Sequence, residues 1–173
     1  MIIEILYILI RFLILVGLQV LVLNNLQLGG FINPFLYVLF LLTLPVRIPK
    51  GLLLVVALAT GLVIDMFMNT MGMHAAACLL VGYLRPGWLK ITAPRDGYDA
   101  DAVPGIKKFG FKWFIVYASV MVLSHHLFLF YIEVFRFSEF FSTFLRVILS
   151  SIVTLLLIII SQYLFTKPEG RNK

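Results

Sequence analysis

Residues 140–165 read FFSTFLRVILSSIVTLLLIIISQYLF, a run in which Arg146 is the only charged side chain. A helix that crosses a membrane needs about 20 predominantly apolar residues, so this run predicts a membrane-spanning helix. The rest of the 173-residue chain has the same character, because 62% of its residues are hydrophobic and only 13% are charged. Soluble domains are about half apolar and about a quarter charged, which excludes a water-soluble globule.

Six apolar segments are separated by short polar breaks. They cover residues 5–23, 34–48, 51–68, 72–84, 109–131 and 140–165. The second and fourth are shorter than a usual spanning helix, so each is either extended by its flanks or partly re-entrant. We count both as spans, because the charges then follow a consistent pattern. The sequence thus predicts an all-α membrane protein with six transmembrane helices in a single integral membrane domain, residues 1–173.

The distribution of basic residues predicts the orientation. With six spans and a cytoplasmic N-terminus, eleven of the 14 Lys and Arg residues fall on the cytoplasmic side, whereas only Arg136 falls outside. Basic residues resist translocation, so this asymmetry predicts both termini in the cytoplasm. This six-span arrangement includes a cytoplasmic loop at about 85–108 and a cytoplasmic tail at 166–173. The basic and aromatic residues of the loop predict contact with anionic membrane lipids rather than with nucleic acid.

Asp65 lies near the outer end of the third segment, where an ionisable side chain needs a partner or water. The rise of a helix per residue places Arg146 at a comparable depth. We therefore predict a polar layer in the outer leaflet, centred on an Asp65–Arg146 pair and including His74, His125 and His126. Two other interpretations of Asp65 stay open, namely that it extends to the outer interface or that it contacts a partner protein.

The sequence predicts neither a metal site nor catalytic residues. Neighbouring helical residues point about 100° apart, so His125 and His126 cannot easily face one ion. Phosphate-binding loops and the common hydrolase and protease motifs are absent, so no cofactor is expected. Ser150 and Ser151 lie near no obvious base and are expected to bond back to their own helix. The pair Asn33-Pro34 predicts an N-cap followed by proline at the first helical position.

Four short segments carry a resemblance to a known family. They are residues 24–28 (NNLQL), 32–37 (INPFLY), 61–65 (GLVID) and 72–75 (GMHA). In this order and spacing they resemble MreD, the small multipass membrane subunit of the bacterial rod-shape system. The sequence of residues 33–37, NPFLY, looks like that of the Bacteroidetes-type members. Size and hydropathy agree with the family over the whole chain.

The resemblance implies a non-catalytic subunit of the cell-elongation complex in the bacterial cytoplasmic membrane. Proteins of this family accompany the periplasmic scaffold MreC and, with MreB filaments, RodA and a penicillin-binding transpeptidase, direct lateral peptidoglycan synthesis. The family is thought to share its fold with the substrate-binding components of energy-coupling-factor vitamin transporters. The residues that match its motifs, and that would shape the surface for MreC, are Asn33, Pro34, Asp65, Gly72 and His74.

A vitamin-binding transport component is the alternative function. Such components commonly dock on their energising unit through small residues spaced along the first helix. In this chain Gly17 is flanked four residues away by Leu13 and Leu21, which argues against that docking mode.

Overall fold

The computed structural model describes residues 2–26, 31–99 and 102–165, and the regular elements in these residues are all helical. They are α1 (Ile2–Leu21), α2 (Val38–Leu42), α3 (Lys50–Met68), α4 (Met73–Ile91), α5 (Ile106–Phe109), α6 (Phe111–Val134) and α7 (Phe140–Phe165). Short 3-10 helices lie at Leu23–Asn25 and Phe137–Glu139. The predicted tail at 166–173 lies outside the described residues, as do Gln27 and Leu28 of the first segment that carries the family resemblance.

Among the described residues, four helices are long and apolar enough to cross a membrane, namely Ile2–Asn25, Lys50–Met68, Phe111–Val134 and Phe140–Leu164. The expected all-α fold is confirmed in the described residues, and the four helices agree with a membrane protein, but they are fewer than the six transmembrane helices expected. Helix α4 is as long as α3, at 19 residues. It continues through Pro86 to Ile91, beyond Leu84, where the fourth apolar segment was expected to end.

The second apolar segment does not form the predicted spanning helix. Its only α-helix, α2, has five residues and its N-cap is Tyr37, so the expected cap at Asn33 is wrong. A proline inside a helix removes a backbone hydrogen bond and disfavours helical conformation at the residue before it, so helices usually end there, although α4 tolerates Pro86. Pro34 and Pro45 therefore confine the helix to a stretch that is too short to cross a bilayer. We call residues 33–46 the broken segment.

The broken segment lies in the middle of the helical bundle. All side chains from Phe35 to Leu44 are buried. Helix α4 packs against α3 and α6, and α6 packs against α7. Helix α1 covers the broken segment, where the rings of Phe12 and Phe40 meet edge to face with 5.1 Å between their centroids.

The two ends of the bundle differ in charge. A backbone hydrogen bond joins the end of the broken segment to the connection between α4 and α5, since Val46 N donates to Ala102 O at 2.8 Å. The end that we call the basic end carries Arg47, Lys50, Lys90, Lys107 and Lys112. The opposite end, which we call the distal end, carries Asp65 at the end of α3 and Glu133 at the end of α6.

Glycine allows α3 and α4 to approach closely. A Cβ atom on Gly61 would lie 2.3 Å from the Cα of Ala75 and 2.6 Å from the carbonyl oxygen of His74. A Cβ on Gly82 would lie 3.1 Å from the Cβ of Ala57. Small residues let helices approach in lipid, where van der Waals contact is a main source of association. The small residues Gly61 and Ala57 of α3 and Ala75 and Gly82 of α4 are thus used for packing between these two helices.

We predict that Gly61→Ala separates α3 from α4 and destabilises the protein by about 1–3 kcal/mol, because the new methyl group overlaps backbone that cannot rotate away. Thermal unfolding of the purified protein in mild detergent measures this loss. The matched control is Gly87→Ala, also in a helix, where a Cβ has no heavy atom within 4 Å. The control should be neutral or stabilising by up to about 1 kcal/mol; equal effects of the two changes would contradict the close approach.

Candidate functional site

Asp65, in the last turn of α3, caps the start of α4. Its Oδ1 accepts a hydrogen bond from the backbone N–H of His74 at 3.0 Å, and its Oδ2 accepts one from that of Ala75 at 2.9 Å. The hydroxyl of Thr70 donates to Oδ1 at 2.5 Å. The first N–H groups of a helix lack intrahelical partners and carry partial positive charge, so they stabilise a buried carboxylate.

Gly72 allows the chain to enter α4 in the right direction. It is the N-cap residue of α4 and has a φ of 82°, in the left-handed region that favours glycine. Asn69, which ends α3, is also left-handed, with a φ of 58°. These two positions turn the chain within a few residues and bring the N-terminus of α4 to the Asp65 carboxylate.

The predicted Asp65–Arg146 pair is not formed. Arg146 instead forms an ion pair with Glu133 of α6, with Nη1 3.2 Å from Oε2, and its guanidinium stacks on Phe130 at 4.3 Å from the ring centroid. With the Asn33 amide oriented so that its oxygen faces the guanidinium, that oxygen accepts from Nη2 at 2.7 Å. Asp65 obtains neutralisation from the dipole of α4 and Arg146 from Glu133, so neither needs the other.

A buried hydroxyl joins two of the predicted polar-layer histidines. The Tyr37 Oη lies 2.9 Å from Nδ1 of His74 and 2.7 Å from Nε2 of His125. A phenol has one proton, so one histidine accepts it and the other donates a ring N–H to the oxygen. The ring of Phe35 lies against both histidines, with centroid distances of 5.0 and 5.8 Å.

Side chains from α1 and α7 bond to the backbone at the distal end of the broken segment. Gln19 Nε2 donates to the carbonyl of Pro34 at 3.0 Å, and Gln19 Oε1 accepts from the N–H of Tyr37 at 3.5 Å. The hydroxyl oxygens of Ser150 and Thr154 accept from the N–H groups of Asn33 and Phe35, both at 3.0 Å. The expectation that Ser150 bonds back to its own helix is therefore wrong.

The other end of the broken segment is bonded by a fully buried arginine. Arg85 of α4 donates from Nη2 to the carbonyl of Leu44 and from Nη1 to that of Pro45 at 3.4 Å. Its Nε donates to the hydroxyl of Tyr117 at 2.9 Å, and that hydroxyl donates to the carbonyl of Leu42 at 3.0 Å. The last carbonyls of a helix are left without intrahelical partners. Here the carbonyl of Leu42, the last residue of α2, receives a donor from α6, and those of Leu44 and Pro45, just after α2, receive donors from α4.

The residues predicted from sequence form two contacting groups at the distal end. Asp65, Gly72 and His74 lie together at the α3–α4 turn, and Tyr37 links His74 to the broken segment. Asn33 and Arg146 lie together, and Pro34 is held by Gln19. Sequence reasoning missed the roles of Gln19, Tyr37 and Arg85. For Gln19 the sequence did contain a signal, because a polar residue inside an otherwise apolar helix needs a hydrogen-bond partner within the protein.

The arrangement fixes an irregular length of chain inside a helical bundle. Its polar atoms bond mostly to each other and to backbone; in the described part of the chain, His125 Nδ1 and Ser151 Oγ are buried without a partner. No group of three or more His, Cys, Asp or Glu side chains in the described residues is placed to hold a metal ion. The hydrogen bonds of the described residues hold the broken segment between α1, α4, α6 and α7.

Comparison of the chain with protein-family models, with curated proteins and with solved structures finds no match.

We predict that Asp65→Ala destabilises the protein by about 1–2 kcal/mol, the usual loss when a helix N-terminus loses its capping side chain. Asp65→Asn keeps one acceptor oxygen and should lose less. Combined with Arg146→Met, the Asp65→Ala effect should add to that of the arginine change within about 0.5 kcal/mol, as expected for independent sites. Thermal unfolding of the single and double variants measures both quantities. A larger coupling energy would mean that the two charged groups interact after all.

Tyr37→Phe should destabilise the protein by about 1–3 kcal/mol, because it leaves two buried imidazole nitrogens without their shared partner. The same unfolding measurement detects the change. Tyr83→Phe provides the control, since Tyr83 is 74% exposed and removal of its hydroxyl should alter stability by no more than about 0.5 kcal/mol. If Tyr37→Phe behaves like the control, the buried hydroxyl is not holding the two histidines.

Proposed function

We propose that the protein is an MreD-like, non-catalytic subunit of the cell-elongation complex in the bacterial cytoplasmic membrane, where it binds MreC. One observation carries the proposal. Three of the segments that carry the resemblance, residues 32–37, 61–65 and 72–75, are separated in sequence yet meet in one buried site. Asp65 caps His74 and Ala75, and Tyr37 bonds to His74. The residues that carry the resemblance are thus those that fix the interior of the distal end.

A scaffold role agrees with how the polar side chains are used. Asp65, Tyr37 and Arg85 are buried and direct their hydrogen bonds to other parts of the same chain. Such a network makes one arrangement of the helices preferred over others, because a buried polar group without a partner is costly. A subunit that positions other proteins needs a fixed shape more than an open reactive group.

The proposal includes six membrane crossings with both termini in the cytoplasm. Helices α1, α3, α4, α6 and α7 supply five crossings, and the broken segment returns the chain from the distal end to the basic end. Non-helical backbone is tolerated at membrane depth where protein buries it, as it does between Phe35 and Leu44. The basic end then faces the cytoplasm, in agreement with the usual bias of Lys and Arg.

We assign the MreC contact to the surface of helix α1 rather than to Asp65 and His74, because both of these side chains are buried. Of the four candidate spans, α1 is the least enclosed by the rest of the protein. In its most apolar stretch 17% of the residues are buried, compared with 33–44% in the other three. Gly17 lies on this helix with no heavy atom within 4 Å of a Cβ position, between the exposed Leu13 and Leu21. The spacing lacks the row of small residues expected for docking on an energising unit, but the single Gly17 leaves room for one close contact with a neighbouring helix. MreC has one transmembrane helix in the family.

Purification of the tagged protein from native membranes in mild detergent tests the function. We expect MreC in stoichiometric amount, with RodA, the penicillin-binding transpeptidase or MreB in smaller amounts. Depletion should turn rod-shaped cells into spheres, because lateral wall synthesis loses its direction. Recovery of an ATPase pair or of a bound vitamin, with unchanged cell shape, would instead establish the transport function.

A pair of variants tests the assigned surface. Gly17→Leu should reduce MreC recovery at least severalfold without lowering the unfolding temperature, since it adds bulk only where another helix would approach. Gly51→Leu is the matched control, because a Cβ there also has no heavy atom within 4 Å, but it lies on α3 at the basic end. Retention of MreC by both variants would move the contact away from α1.

A further inference from the structure

A cleft of about 390 Å³ opens at the basic end between α1, the end of the broken segment, residues 103–108 and the last turn of α7. Its size is within the range of small-molecule sites in proteins. One wall is apolar and comes from α1, through Tyr7, Ile10 and Ile14. The cleft is also lined by three cationic residues, Arg11, Lys107 and Lys108. An apolar wall beside cations suits an amphiphile with a negatively charged head.

Arg11 is the cation placed deepest along the apolar helix. It is half-buried, and in the described part of the chain it donates one hydrogen bond, from Nη1 to the carbonyl of Thr43 at 2.7 Å. A guanidinium has five N–H donors, and no carboxylate of the described residues forms an ion pair with this one. A cation in an apolar span normally faces a counter-charge, and phosphate is an oxyanion that arginine binds bidentately.

The two lysines add positive charge where the cleft meets the membrane surface. Lys108 forms an ion pair with Asp99, with 2.6 Å between Nζ and Oδ2. Both lysines can keep their protein contacts and still contribute positive charge, because clusters of basic residues beside a membrane attract anionic lipids.

We propose that this cleft binds an anionic phospholipid. The phosphate lies against Arg11, and its negative charge is further stabilised by the positive charges of Lys107 and Lys108. An acyl chain follows Ile10 and Ile14 toward the bilayer interior. The site is distinct from the buried polar network, and the inference does not depend on the partnership with MreC.

The test uses the purified full-length protein, stripped of lipid in mild detergent and then titrated with phosphatidylglycerol. Native mass spectrometry should show one retained phosphatidylglycerol, bound about tenfold more tightly than phosphatidylcholine because of its net charge. The unfolding temperature should rise with phosphatidylglycerol concentration, as expected for a ligand that binds only the folded state. Equal retention of the two lipids would overturn the proposal, and so would an equal temperature rise with inorganic phosphate alone.

Two matched pairs of variants locate the site. Arg11→Met should weaken phosphatidylglycerol binding about tenfold, as expected for loss of a charged hydrogen bond, whereas Lys90→Met removes the same charge outside the cleft and should change it little. Ile14→Trp should block the acyl chain while leaving the cations in place. Leu13→Trp, on the adjacent exposed position, is its control. If Ile14→Trp folds and still binds normally, the lipid does not occupy this cleft.

Discussion

The hydrogen bonds made to the backbone of the broken segment are the interaction on which this structure depends. A membrane interior offers no water, so each backbone N–H and C=O must find a partner inside the protein. A long helix provides these partners itself, but a five-residue helix between prolines cannot. The missing partners come from side chains of four surrounding helices: Gln19 of α1, Ser150 and Thr154 of α7, Arg85 of α4 and Tyr117 of α6.

This constraint explains why polar residues recur in segments that are otherwise apolar. Gln19 is 1% exposed and lies in the most hydrophobic of the spans, where an unpaired amide would cost several kcal/mol. Arg85 is fully buried, yet its guanidinium needs no carboxylate because the backbone carbonyls of Leu44 and Pro45, just after α2, accept its N–H groups. Each of these side chains replaces a bond that a regular helix would have made with itself.

The sequence was sufficient to predict the long helices and the charge difference between the two ends. Apolar length and the placement of Lys and Arg are properties of the chain alone, and they do not depend on which helices are neighbours. The break in the second segment could also have been predicted from the sequence, since Pro34 and Pro45 leave too few residues between them for a spanning helix. The prediction instead gave greater weight to the number of crossings than to the prolines.

The partners in the site could not be predicted, because they depend on direction around each helix axis. Depth along the axis was estimated well enough to place Asp65 and Arg146 at the same end of the bundle. It could not show that Asp65 faces the start of α4 while Arg146 faces Glu133. The bond between Ser150 and the N–H of Asn33 joins residues 117 positions apart, a distance over which local patterns carry no information.

The attachment of α1 connects the buried network to the cleft. Arg11, Leu15 and Gln19 are spaced four residues apart and therefore form one stripe along the helix. Gln19 bonds to Pro34 at one end of the broken segment, Arg11 bonds to Thr43 near the other, and Leu15 is buried between them. Arg11 both holds α1 to the interior and lines the cleft. A phosphate that orders its guanidinium would therefore also strengthen the attachment of α1, the helix that we propose contacts MreC. The lipid at the basic end and the protein on the outer face of α1 would then act on the same element.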